Sequence, residues 1–257
     1  MNPSPATLGD LYDAIDAFAP FAAARPTDNS GIVAGSRPKP LRRVLLALDV
    51  TPDVVREAAA TGADCIFSHH PPIYNPIRSL SDRDPVYQAI RHDIALIAAH
   101  TNLDVAPGGV NETYLKAIGL QNPEPLPGSD GCAALAECPA ELSALPALAA
   151  RVKACTGLPS VRLVDTGRRI KKAAVCCGGG ASFFDCAIQS GADVYISGDF
   201  RHNHAVDALR AGISLIDAGH YETERLVLAP LAARLAECLP AVTFAVAASD
   251  RPIFQYL

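Results

Sequence analysis

The chain has 257 residues, of which 49% are hydrophobic and 19% charged, with a formal net charge of −5. That apolar content fills one large core or two modest ones and excludes a disordered chain. The acidic balance offers no basic footprint for a nucleic-acid groove, so no nucleic-acid partner is expected.

In chain order, Thr7 caps a first helix whose Leu11, Ile15 and Phe18 form an amphipathic stripe ending near Pro20. Asp28-Asn29-Ser30-Gly31 reads as a turn and 43–49 as a buried strand. Thr51-Pro52-Asp53 then opens a helix, because a Thr cap supplies an acceptor and a proline at the first helical position forfeits no intrahelical donor. Short apolar strands follow at Cys65–Ser68, 94–99, 173–177, Val194–Ser197 and 213–216, separated by helical stretches. Strand and helix alternate, which predicts an α/β fold with mainly parallel sheets and ligand sites beyond the carboxyl ends of strands. The segment 122–160 changes character, with Pro123, Pro125, Pro127, Gly128, Pro139, Pro146 and Pro159, and reads as a link holding one helix near 142–155. Thr243–Val246 is a terminal strand.

Pro and Gly interrupt every Ala-rich stretch before it reaches about 18 apolar residues, so no membrane partner is expected. Met1-Asn2-Pro3-Ser4-Pro5 lacks the basic and apolar regions of a secretory leader, and the eight cysteines include no C-x-x-C pair. Reduced, mostly buried thiols in a cytoplasmic protein are the expectation.

The chain reads as the same unit written twice. Gly62-Ala63-Asp64 recurs as Gly191-Ala192-Asp193, 129 positions on, and the same offset pairs Arg42-Arg43 and its strand with Lys171-Lys172 and the strand after it. The motifs beginning at His100 and His220 lie 120 apart, so the second copy has a loop shorter by nine. Four elements matched in one order predict an internal duplication into two similar α/β units, 1–124 and 125–257, with the C-terminal segment able to pack back on the first.

Chemistry concentrates in three motifs at strand ends: Ser68-His69-His70-Pro71-Pro72, His100-Thr101-Asn102-Leu103-Asp104 and His220-Tyr221-Glu222-Thr223-Glu224. Imidazoles with carboxylates suit two divalent ions of zinc, manganese or iron rather than calcium alone. In extended backbone His69 and His70 diverge and would serve different ions, while Pro71 and Pro72 restrain the chain behind them. Asp104 bridges cations or makes an Asx turn. His220 and Glu224 share a helical face as ligands or as a surface pair, and recurrence in the duplicated register favours ligands. His202 and His204 stand in the second copy's counterpart of the His69-His70 loop but outside the ligand set, and His92 reads as a surface residue. Gly178-Gly179-Gly180 fits no complete phosphate-binding pattern, so tight-turn packing is its expected role.

These motifs, with Asp28-Asn29-Ser30-Gly31, Pro107-Gly108-Gly109-Val110-Asn111 and Ser197-Gly198-Asp199, resemble the type 2 GTP cyclohydrolase I homologue family, also called the NGG-interacting-factor-three-like proteins, over nearly the whole chain. The resemblance implies two interlinked α/β units with sheets flanked by helices, a dinuclear metal site between them, and a homohexamer. It implies His69, His70, Asp104, His220 and Glu224 as metal ligands, with His100 beside the site. The family often has Trp before its Asp-Asn motif, where this chain has Thr27, and some relatives carry an inserted domain for which 122–160 is too short. The implied activity is a metal-activated water opening the guanine imidazole ring of GTP with release of formate, His100 or Glu222 shuttling a proton. The alternatives are a metal-dependent phosphoesterase or other nucleotide hydrolase, and a non-catalytic metal-handling or regulatory protein.

Overall fold

The structure is a computed structural model and describes residues 5–255. Its strands are β1 (Gly31–Ala34), β2 (Arg43–Ala47), β3 (Cys65–Ser68), β4 (Ala95–Ala98), β5 (Gln121–Pro125), β6 (Ala134–Glu137), β7 (Arg162–Val164), β8 (Lys172–Val175), β9 (Val194–Ser197), β10 (Ser214–Asp217) and β11 (Thr243–Val246). Its helices are α1 (Leu8–Asp16), α2 (Pro52–Thr61), α3 (Pro85–Arg91), α4 (Thr101–Asp104), α5 (Val110–Ile118), α6 (Leu145–Thr156), α7 (Phe184–Gln189), α8 (His202–Ala211), α9 (His220–Glu224) and α10 (Leu228–Cys238).

Two compact units result. One takes the described residues up to Pro107 together with Val227–Ile253; the other takes Gly108–Leu226 and the described residues from Phe254 on. The chain therefore leaves the first unit and returns to it; the sequence reading divides the units at 124/125 with the C-terminal segment able to pack back on the first. Return is fixed by β11, which pairs in parallel with β2 from Thr243↔Arg43 to Val246↔Leu46.

The first unit holds a five-stranded sheet in the order β1-β4-β3-β2-β11, with β1 antiparallel and the rest parallel. Its central strands β2, β3 and β4 are almost entirely buried because both faces are covered. On one face Leu45, Ala47, Ile66 and Leu96 meet Val54, Val55 and Ala58 of α2 and Val86 and Ala89 of α3. The opposite-facing Val44, Leu46 and Phe67 are also fully buried, and α10 packs on β2 and β11. The Thr51 hydroxyl accepts from Val54 N at 3.3 Å at the start of α2, and Gly62 closes that helix in the left-handed region at φ +66°.

The second unit holds six strands in the order β5-β6-β8-β9-β10-β7. The duplication is legible atom by atom. In β2–β3 Val44 opposes Cys65, and in β8–β9 Ala173 opposes Val194, the same pairs shifted by 129. One Asp64 carboxylate oxygen accepts from Arg42 N at 2.7 Å and Arg43 N at 3.0 Å; one oxygen of Asp193 accepts from Lys171 N at 2.8 Å and Lys172 N at 3.1 Å. Each Gly-Ala-Asp thus ties the start of one strand to its parallel neighbour. β1 and β7 likewise occupy matching places, each the antiparallel edge beside the third strand of its copy.

The segment 122–160 is not a link. It builds β5 and β6, an antiparallel pair added to β8, and then α6. Prolines hid the first of these strands, yet β5 is an exposed edge on which Pro123 and Pro125 cost the sheet little, since an edge leaves one row of donors unused. The strand register also corrects the counterpart of His69-His70, which is Gly198-Asp199. His202 and His204 lie further on, in the first turn of α8.

Candidate metal centre

In the first unit, ladder pairing continues past β3: His69 N donates to Ala47 O at 3.1 Å and His70 N to Leu48 O at 2.9 Å. The two histidines therefore leave the sheet on a fixed backbone. His69 is fully buried and its Nδ1 lies 3.0 Å from Ala99 O. His70 Nδ1 lies 2.9 Å from an Asp49 oxygen, and His100 Nδ1 lies 3.1 Å from an Asp28 oxygen. A carbonyl and an ionised carboxylate only accept, so each Nδ1 donates, and the neutral ring carries its lone pair on Nε2. That is how ligating histidines are held in metal sites.

The three rings converge, with centroids 5.0 Å apart for His69 and His70, 5.1 Å for His69 and His100, and 5.5 Å for His70 and His100. One ring nitrogen from each lies within 4.8 Å of the other two, close enough for one ion. α4 begins directly after His100, so Asp104 arrives one turn later, with an oxygen 3.5 Å from His69 Nε2. Asn102 on the same turn is buried and donates to Ala19 O at 2.7 Å, anchoring the helix.

Asp28 joins this arrangement together. Its carboxylate accepts from His100, from Thr101 N at 3.0 Å and from the Thr101 hydroxyl at 2.6 Å. Burial alone would raise its pKa, but the bonds from His100 and Thr101 outweigh burial and hold the carboxyl far below the usual range. These bonds favour the charged form of the carboxylate behind His100.

In the second unit, His220 and Glu224 sit four residues apart on α9, with Nε2 3.3 Å from a Glu224 oxygen. Asp199 accepts from His220 Nδ1 at 2.8 Å, the same anchoring. Gly178 packs against this pair: a Cβ there would overlap the Glu224 carboxylate and lie 3.1 Å from His220 Nε2. Two amides of the glycine turn are engaged, Gly178 N with the Thr223 hydroxyl and Gly180 N with the Ser197 hydroxyl, each at 2.9 Å. Tight packing accounts for Gly178 and Gly180, where a Cβ would collide with Glu224 and with Ser197. Glu222 is buried but two residues from His220, on another side of the helix, and its carboxylate folds over Gly219.

Thus His69, His70, His100 and Asp104 gather in one unit, and His220 with Glu224 in the other. His92 ends α3, exposed, as expected of a surface residue. Sequence reading missed the anchors Asp28, Asp49 and Asp199. The available signal was an aspartate beside or just past a strand end, which is common and becomes specific only when a histidine is found within reach. Both clusters have the donor chemistry to hold a metal ion. No helix among the described residues is long and apolar enough to cross a membrane.

The Duf34/NIF3 (NGG1p interacting factor 3) family model matches residues 6–252. A GTP cyclohydrolase 1 type 2 homolog of Clostridium perfringens is 30% identical, covering 97% of this chain and 99% of that protein. One from Streptococcus pneumoniae is 33% identical over 82% of this chain and 84% of its own. Among solved structures, the Staphylococcus aureus hypothetical protein SA1388 is 30% identical with a TM-score of 0.89, covering 99% of this chain and 100% of that one. Reduced HcgD from Methanocaldococcus jannaschii is 27% identical with a TM-score of 0.83, over 93% and 97%. With its duplicated sheets, its histidine motifs and a match along almost its whole length, the chain belongs to the Duf34/NIF3 family.

Proposed function

We propose that this protein is a metal-dependent hydrolase in which His69, His70, Asp104, His220 and Glu224 serve one centre for two divalent ions of zinc, manganese or iron. The observation that carries this reading is the anchoring of His69, His70 and His220 through Nδ1, which puts the lone pair of each ring on Nε2, the atom a metal ion would take. Such ions acidify water and polarise an electrophile's oxygen at neutral pH. Three imidazoles with two carboxylates match the hard and borderline character of those metals.

His100 is the proton carrier in this reading. With Nδ1–H held by Asp28, its Nε2 carries the lone pair that would accept a proton. Glu222 is the second candidate for that task and has to swing away from Gly219 to perform it. GTP is the first substrate to try, supported by the name the relatives carry, with ring opening and formate release as the reaction. The reading extends to a cytoplasmic homohexamer. Eight free thiols, with Cys65, Cys132, Cys176 and Cys177 buried, suit a reducing compartment. Light scattering giving six times the chain mass supports the assembly, and any other mass removes it.

The direct test incubates metal-loaded protein with GTP and measures formate and a fluorescent oxidised pterin. Activity is expected to vanish on chelation, to return with a divalent ion and to be lost in His220→Ala. Inorganic phosphate or a monoester as product would instead identify a phosphoesterase. No turnover across a nucleotide panel at full metal occupancy, with reversible transfer of metal to an apo-enzyme, would identify a metal-handling protein.

A further inference from the structure

Asp199 stands in a backbone conformation that resists it. Its φ of +60° lies in the left-handed region, where a side chain costs about 1 kcal/mol or more relative to glycine, and Gly198 precedes it. The residue is exposed, and its carboxylate accepts from His220 Nδ1 at 2.8 Å. Register adds a second, independent observation. Shifted by 129, Asp199 corresponds to His70, and Gly178 to the Asp49 that holds His70. In the first unit the carboxylate follows β2 and the imidazole follows β3. In the second, the position after β8 is a glycine that makes room for Glu224, and the carboxylate has moved to the position after β9.

We propose that Asp199 is a positioning residue: it accepts the strain of the left-handed turn in order to fix the Nδ1–H tautomer and ring direction of His220, so that Nε2 faces Glu224. Glycine at 199 relaxes the backbone and loses the acceptor. Asparagine tolerates the left-handed region and keeps an acceptor oxygen. Alanine loses the acceptor and keeps the strain. The metal part of the proposal rests on the reading above; the tautomer part does not.

The test uses full-length protein selectively 15N-labelled at histidine. In the metal-free state, NMR reads the His220 tautomer in wild type, Asp199→Gly, Asp199→Asn and Asp199→Ala, and Zn2+ affinity is then measured by competition with a chromophoric chelator. Wild type and Asp199→Asn are expected to hold the Nδ1–H form. The glycine and alanine variants are expected to mix tautomers and to bind Zn2+ about 10- to 100-fold more weakly, while Asp199→Gly melts no lower than wild type. An unchanged tautomer and a Zn2+ affinity within twofold of wild type in both the glycine and alanine variants would overturn the proposal, and so would an asparagine variant as impaired as alanine. A wild type that binds no Zn2+ but holds the tautomer through Asp199 would sink the metal reading and leave the positioning role standing.

Discussion

Replacing Gly178 by alanine tests how closely the second cluster is packed. Gly178 has φ +68°, and a Cβ there would overlap an oxygen of Glu224 and lie 2.9 Å from its Cδ. Glu224 is 4% exposed, so its carboxylate has no solvent to swing into. The backbone contribution is about 1–2 kcal/mol for a left-handed alanine. Displacing a buried carboxylate from its partners adds about 1–3 kcal/mol. Gly191→Ala separates the two, because Gly191 has φ +72° in the same unit and nothing within 4 Å of its would-be Cβ. With about 2–4 °C per kcal/mol for a chain of this size, Gly191→Ala is expected to lower Tm by about 2–8 °C and Gly178→Ala by several degrees more. Zn2+ affinity is expected to fall about tenfold or more in Gly178→Ala alone. Thermal melts and chelator competition measure both. Two variants equal in Tm and in Zn2+ affinity would refute the packing argument.

Further outcomes can be measured on the same protein. Asp104→Ala is expected to lower metal content with an unchanged circular dichroism spectrum, while His92→Ala leaves both alone; unchanged stoichiometry in Asp104→Ala would remove it from the ligands. Asp64→Ala and Asp193→Ala each lose two charge-assisted bonds to backbone amides and should cost about 1.5–3 kcal/mol each, so denaturant titrations showing one neutral and one severe would contradict equivalent roles in the duplicated units. Glu57 accepts from Ala248 N, Ser249 N and the Ser249 hydroxyl; burial raises its pKa, but these bonds prevail and lower it. Its folded pKa lies below its unfolded one, so its stabilisation is complete above the ordinary glutamate range and fades as pH falls through the folded value. Melts of wild type and Glu57→Gln should differ most near neutrality and converge in acid; a constant gap down to pH 2 would contradict this.

The sequence by itself determined the parallel strands, the duplication and the three histidine motifs, because each is written in a short window. Apolar runs such as Cys65–Ser68 and Val194–Ser197 need no distant partner to be recognised, and a repeated Gly-Ala-Asp is visible at any separation. Helix periodicity placed Asp104 one turn beyond His100 and Glu224 one turn beyond His220 in the same way. Tertiary structure decided what depends on a remote partner. β5 looks unlike a strand until β6 pairs with it, and β11 belongs to the first unit only because β2 offers it an edge. The orientation of the histidines was decided last: Asp28 reaches His100 across 72 positions and Asp199 reaches His220 across 21. A hydrogen bond between side chains so far apart follows from how the chain is folded, and no local pattern of residues encodes it.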